Sequence, residues 1–185
     1  MTCIVAIAAA GVVHMGADSA GVGGLDLRVR KDVKVFNKDD FVIGCTSSFR
    51  MIQLLQYSLV LPKRHPETEL HEFMCTYFID AVRKCFTAGG FAKKDKEEES
   101  AGCFLAGVAG RIFRIDYDYQ VGENVMPYDA AGCGEAYAIG SLHATASTAI
   151  EPKQRLQNAL EAAEKFSAGV RGPFVFASFG QAVPA

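Results

Sequence analysis

Residues Thr2–Lys34 read TCIVAIAAAGVVHMGADSAGVGGLDLRVRKDVK, and the fold is decided there. An apolar run opens the stretch, Gly11 interrupts it, and a second apolar run ends at Asp18. Small and β-branched residues on both sides of a glycine predict a β-hairpin. A three-residue turn at Ala9, Ala10 and Gly11 pairs Ala8 with Val12 and sets Thr2 opposite Asp18, and directly opposed residues share one face of a sheet. Lys34 follows sixteen residues after Asp18, in the segment Lys31–Phe36. The hairpin thus brings a hydroxyl at the chain start close to a carboxylate, with a lysine nearby.

That grouping carries a chemistry. A threonine hydroxyl becomes a useful nucleophile when a neighbouring base takes its proton, and a terminal amine can be that base. Removal of Met1, which a small second residue permits, would give Thr2 both groups. A free α-amine has an ordinary pKa of about 7.7–8.0. A nearby ammonium such as Lys34 lowers it and favours the basic form. Asp18 would neutralise Lys34, which otherwise stands unpaired among apolar residues.

The stretch resembles the start of the proteasome β-subunits and of their bacterial relative, the HslV peptidase, which are N-terminal nucleophile (Ntn) hydrolases. The matching positions are Thr2, Asp18 in Gly16-Ala17-Asp18-Ser19 and Lys34 in Lys31-Asp32-Val33-Lys34-Val35, with no gap. The likeness is dense over the first fifty residues and patchy to about Gly172. It implies catalytic roles for Thr2, Asp18 and Lys34, and a Lys borne on a strand after the hairpin.

Two plainer readings compete. An apolar N-terminus before Gly-Ala-Asp-Ser-Ala could be a secretory signal, but no Lys or Arg precedes the run and His14 interrupts its end. A buried hairpin with an incidental ion pair is the other. Gly21-Val22-Gly23-Gly24 lacks the pattern of a phosphate loop and reads as a turn between strands.

A chain of 185 residues suits a single domain over 1–185. Its net charge of −2 offers no polybasic footprint for nucleic acid, and no apolar run reaches the roughly 18–20 residues of a membrane span. Six scattered cysteines without a Cys-x-x-Cys pair read as free thiols in a reducing cytoplasm. The four histidines lack ligand spacing, so neither a metal nor a cofactor is expected.

Beyond the hairpin, Phe41–Cys45 predicts a strand, and Ser48 caps an amphipathic helix stopped near Pro62. Glu67–Thr87 predicts a second helix with Leu70, Phe73, Met74, Tyr77, Phe78, Ala81 and Val82 on its core face, closed by Ala88-Gly89-Gly90. The charge run Lys93–Glu99 predicts a solvated loop. Cys103–Gly107 and Arg111–Tyr117 predict a hairpin, with Asp116–Gln120 facing outward. Tyr137–Ser141 reads as a short strand running into a turn, with a helix from Leu142. A last helix starts at Glu151-Pro152, its apolar face running from Leu156 to Phe166, and Pro173–Phe179 closes the chain as a strand.

Further site residues come from the resemblance. A backbone amide after the Phe41–Cys45 strand supplies the family's oxyanion hole, usually at a glycine; here Thr46, Ser47 and Ser48 are the candidates, and any of the three can donate. Gly140 and Ser141 match the family's Gly-Ser-Gly, whose serine supports proton relay; the alternative is a helix cap. Cys133, in Gly132-Cys133-Gly134-Glu135, is a rival nucleophile with His143 or Glu135 as helper, without a cysteine-hydrolase signature. Relatives carry an aspartate after the last helix, whereas Ser167–Gly172 contains no acid.

The expectation is an α+β fold, a four-layer α-β-β-α sandwich of two antiparallel sheets flanked by helices. The resemblance implies a threonine endopeptidase acting on unfolded polypeptides inside homo-oligomeric stacked rings, with an AAA+ ATPase as unfoldase, and with no nucleic-acid or membrane partner. A catalytically silent ring protein and a small-molecule amidase of the same class are the alternatives.

Overall fold

The computed structural model describes residues 1–95 and 98–181. Strands β1 (Cys3–Ala9) and β2 (Val12–Ala17) form the first hairpin. Its turn is tighter than the sequence reading has it: Ala10 and Gly11 take φ 48° and 79°, and Ala9 pairs with Val12. Two central residues with positive φ match the twist of the flanking strands, which a three-residue turn matches only with a bulge. The register therefore shifts by one. Ile4 faces Ala17, and Asp18 comes beside Cys3 rather than Thr2, donating its backbone N–H to Cys3 O at 3.3 Å.

The glycine-rich stretch becomes a second hairpin, β3 (Ala20–Gly23) and β4 (Asp26–Val29). Lys34 stands immediately before β5 (Val35–Lys38), not within it, and β5 pairs with β6 (Phe41–Cys45). Helix α1 (Phe49–Tyr57) begins at its expected cap, where Ser48 Oγ accepts the Arg50 N–H at 3.1 Å. The second helical region is divided into α2 (Leu70–Phe73), a π-helical turn (Met74–Phe78) and α3 (Ile79–Ala88). The wider turn rotates the stripe, so Tyr77 is exposed while Phe78 and Val82 stay buried.

Lys93–Asp95 (β7) and Glu98–Ser100 (β8) pair as strands where a loop was expected. Lys96 and Glu97 of that charge run lie outside the described residues. Strands β9 (Phe104–Val108) and β10 (Arg111–Ile115) form the expected hairpin, turning at Ala109 and Gly110. Tyr119 departs from the outward-facing segment and is buried against the Phe86 ring. Then come β11 (Val121–Glu123), β12 (Tyr128–Gly132), α4 (Glu135–Ala144), α5 (Pro152–Phe166) and β13 (Val175–Gly180). The predicted strand at Tyr137–Ser141 is helix instead: alanines favour it, and Ala138 and Leu142, four residues apart, form its buried side. Phe166 leaves the expected apolar face and lies exposed beside Tyr137, ring centroids 5.7 Å apart.

Besides the two-stranded pairs β3-β4 and β7-β8, the described strands form two larger antiparallel sheets, one ordered β12-β1-β2-β13 and the other β11-β10-β9-β6-β5. Strand alternation divides the core. Cys3, Val5 and Ile7 point to Leu142, Leu156 and Leu160 of α4 and α5. Ile4 and Ala6 point the other way, joining Met15, Val42 and Leu105 between the sheets. A third cluster places Phe104 and Phe113 of the five-stranded sheet with Leu55 of α1, Phe78 of the π-helical turn and Phe86 of α3. Because β1 is an inner strand, Thr2 sits at the sheet's end, flanked by the ends of β12 and β2.

Candidate active site

Asp18 is the first residue after β2, and antiparallel pairing sets it beside Cys3. Its carboxylate bends under the chain start. Oδ1 accepts from Cys3 N at 2.9 Å and from Lys34 Nζ at 2.9 Å, and Oδ2 accepts from Ala20 N at 2.9 Å and Arg171 N at 3.3 Å. Both Asp18 and Lys34 are 1% exposed. Burial pulls the Lys34 ammonium below its ordinary pKa, and the Asp18 charge and hydrogen bond oppose that pull. A buried lysine with a single charged partner is costly to keep, so the pair calls for a reason beyond stability.

Thr2 is 6% exposed. Its N–H donates to Cys133 Sγ at 3.2 Å, and Cys133 Sγ–H donates to Thr2 O at 3.4 Å. The Thr2 hydroxyl donates to Met1 O at 2.5 Å. While Met1 is attached, Thr2 N is an amide and cannot act as a base. Gly132, at φ 104°, lies so close that a Cβ there would stand 2.2 Å from Thr2 O. At Gly169 a Cβ would stand 2.5 Å from Met1 Cβ and 2.8 Å from Cys133 Sγ. Both positions require glycine for the chain start to seat.

Ser47 has φ 58°, a left-handed conformation that favours glycine. Its side chain offsets part of the strain: Oγ accepts from Cys103 N at 3.0 Å and lies 3.1 Å from Thr46 Oγ1. Thr46 N donates to Cys103 O and Ser48 N to Thr46 O. The Ser47 N–H has no acceptor among the described residues and lies on an exposed residue. Of the three candidate oxyanion donors, it alone is free. Thr46 Cγ2 lies within 3.3 Å of the Cβ position at Gly132, so this turn borders the Thr2 site.

The structure thus gathers Thr2, Asp18, Lys34 and the Thr46–Ser48 turn, and it leaves Gly140 and Ser141 apart. Those two lie inside α4, where Ser141 is roughly 9 Å along the axis from Glu135. The strand-to-helix turn expected there occurs earlier, at Gly132-Cys133-Gly134, so Cys133 rather than Ser141 meets Thr2. The signal was a Gly-x-Gly closing the short segment Tyr128–Ala131, obscured by cysteine at its centre. Sequence reading also missed Ser167, whose Oγ lies 3.4 Å from Cys133 O, in the segment that lacks the expected acid. A hollow of about 960 Å³ among Gly11, Phe41, Leu61, Phe73 and Phe179 lies at the opposite end of β1, roughly 23 Å away. No group of three or more His, Cys, Asp or Glu among the described residues could hold a metal ion, and no described helix is long and apolar enough to cross a membrane.

Two antiparallel sheets packed face to face, with helices outside and the chain start heading an inner strand, define a proteasome-like fold. The structure of Thiobacillus denitrificans BPH in complex with epoxomicin is similar, with TM-score 0.79 and 17% identity over 97% of this chain and 98% of that one. HslV from Trypanosoma brucei gives TM-score 0.69 and 15% identity over 97% and 100%. Anbu, the ancestral beta-subunit from Yersinia bercovieri, gives 0.64 and 14% over 98% and 83%. No protein-family profile matches the sequence, and no curated protein does. The likeness is one of fold.

Proposed function

We propose that this chain is a threonine-type endopeptidase of the Ntn hydrolase class, a single four-layer α-β-β-α domain over 1–185 active once Met1 is removed. The observation that carries the reading is the buried Lys34–Asp18 pair, whose carboxylate also grips the amide of Cys3, the residue joined to Thr2. Thr2 Oγ attacks the scissile carbonyl while its own amine takes the hydroxyl proton; the peptide C–N bond then breaks as that proton passes to the departing amine, and water later hydrolyses the ester left on Thr2. Lys34 keeps the amine in its basic form, and Asp18 fixes Lys34. The free Ser47 N–H receives the oxyanion. Cys133, rather than Ser141, stands beside the amine as the thiol that can relay its proton.

The wider reading rests on the fold. Substrates are unfolded polypeptides, the chain works in stacked homo-oligomeric rings in the cytoplasm, and an ATP-driven unfoldase of the AAA+ type feeds it. Since the BPH neighbour is a complex with epoxomicin, the test uses a peptide epoxyketone, which reacts with a hydroxyl and a free amine on one terminal residue. Intact mass after incubation is expected to show a species lacking Met1 and carrying the adduct. Loss of Met1 without adduct refutes the peptidase reading and favours a silent ring protein. The mass of the native assembly discriminates further: a monomer or dimer that labels favours an amidase.

A further inference from the structure

We infer that Glu135 is a positioning residue for the nucleophile, an inference that rests on the peptidase reading above. Gly132, Cys133 and Gly134 form the turn that touches Thr2 on two sides, Cys133 Sγ at its N–H and Gly132 against its carbonyl. A turn with two glycines has little conformational preference of its own and needs outside anchors. Gly134 caps α4 without a side chain to offer. Glu135, the first residue of α4, bends back instead, and its Oε2 accepts the Gly132 N–H at 3.1 Å. This is the shortest side-chain hydrogen bond to the turn's backbone; Ser167 Oγ on Cys133 O is 3.4 Å.

Arg114 fixes the carboxylate in turn. Its Nη1 donates to Glu135 Oε2 at 3.2 Å and to Ala130 O at 3.0 Å, while its Nε donates to Asp116 Oδ1 at 2.9 Å. Arg114 stands on β10 of one sheet, whereas Ala130 and Gly132 belong to β12 of the other. The guanidinium therefore clamps the two sheets together next to the nucleophile and, through Glu135, sets the height of the turn under Thr2. Geometry held by one guanidinium spanning three acceptors resists the sub-ångström drift that slows a poised reaction.

The test compares Glu135→Ala and Glu135→Gln in the full chain lacking Met1, using hydrolysis of a fluorogenic peptide and the rate of epoxyketone inactivation. Alanine is expected to lower kcat between about 10- and 100-fold, the size expected of a misplaced reacting group. KM should stay within about twofold, since substrate binding does not involve this carboxylate. Glutamine keeps an acceptor for Gly132 N–H and is expected to retain kcat within about threefold. Cys133 alkylation by iodoacetamide, a readout independent of turnover, should be faster in the alanine variant. If Glu135→Ala does not fold, Arg114→Lys replaces it: one ammonium cannot span the three acceptors, and a kcat loss of about threefold or more with unchanged KM is expected. Wild type labelling while these variants keep wild-type kcat overturns the role of Glu135 alone. A Met1-free wild type that never labels overturns the peptidase reading and this role with it.

Discussion

Asp18→Ala leaves four donors without an acceptor: the N–H groups of Cys3, Ala20 and Arg171, and Lys34 Nζ. Orphaned buried amides cost about 1–3 kcal/mol each, and breaking a buried ion pair costs about 3–5 kcal/mol. These do not add in full. Lys34 can shed its proton, because burial already pulls its pKa down, and Arg171 N is the longest of the four contacts. A loss of roughly 4–6 kcal/mol is expected. Lys34→Met behaves differently. Asp18 keeps its three backbone donors, and methionine fills the lysine's space without a charge, so the loss should be nearer about 1–3 kcal/mol. The double variant should lose less than the sum of the singles, since no unpaired ammonium remains. Urea unfolding at matched protein concentration measures all three, followed by far-ultraviolet circular dichroism because the chain has no tryptophan. Lys34→Met costing as much as Asp18→Ala would refute the account, as would an Asp18→Ala protein within about 1 kcal/mol of wild type. Both variants should also lose epoxyketone labelling; Lys34→Met labelling at the wild-type rate would remove Lys34 from the mechanism.

Ser47→Gly should be close to neutral in stability, because relief of the left-handed strain offsets loss of the Cys103 N–H bond, whereas Ser47→Ala keeps the strain and should lose about 1–2 kcal/mol; urea midpoints rank them. Labelling should survive both, since the donor is backbone. Cys133→Ser is expected to keep labelling and Cys133→Val to lose most of it, as only a hydroxyl can replace the thiol beside the Thr2 amine; equal rates by intact mass would deny Cys133 a role. Burial raises the Asp129 carboxyl above its ordinary 3.8. The folded chain then holds that proton to higher pH than the unfolded chain, so the stabilisation is present below 3.8 and is lost as pH rises through the folded value. Asp129→Asn, which mimics the protonated group, should therefore be more stable than wild type at about pH 7 and equal to it at about pH 3, read from urea midpoints.

The parts of the fold that were readable are those set by local pattern. Phe41–Cys45 is uniformly apolar and bounded by charge and hydroxyls, so its limits could be read directly, and Ser48 announced α1 because a cap is a short-range device. The failures have local causes too. Ala9, Ala10 and Gly11 offer two plausible turns, and only the preference for two successive positive φ values picks the shorter, which moves Asp18 from Thr2 to Cys3. Tyr137–Ser141 alternates weakly in size, and the pairing of Ala138 with Leu142 that makes it helix is visible only once α5 and β1 cover that side.

The candidate site divides along the same line. Thr2, Asp18 and Lys34 lie on one continuous stretch of chain, so their spacing could be matched as a unit. Cys133, Glu135 and Ser167 lie more than a hundred residues from Thr2, on segments whose local patterns announce nothing but a turn, a helix start and a helix end. What unites them is steric: Gly132 and Gly169 are two of the places where the chain start is seated so closely that no side chain fits. Glycine there says that something approaches but not what, and the approaching atoms belong to Thr2 and Met1. The missing acid after α5 is explained in the same terms. The segment that would have carried it contributes backbone instead, with Arg171 N on the Asp18 carboxylate and Arg171 O accepting from Ser19 N. The Ser167–Gly172 loop carries no acid, and its backbone completes the cage around Asp18 without adding a carboxylate that would compete for Lys34.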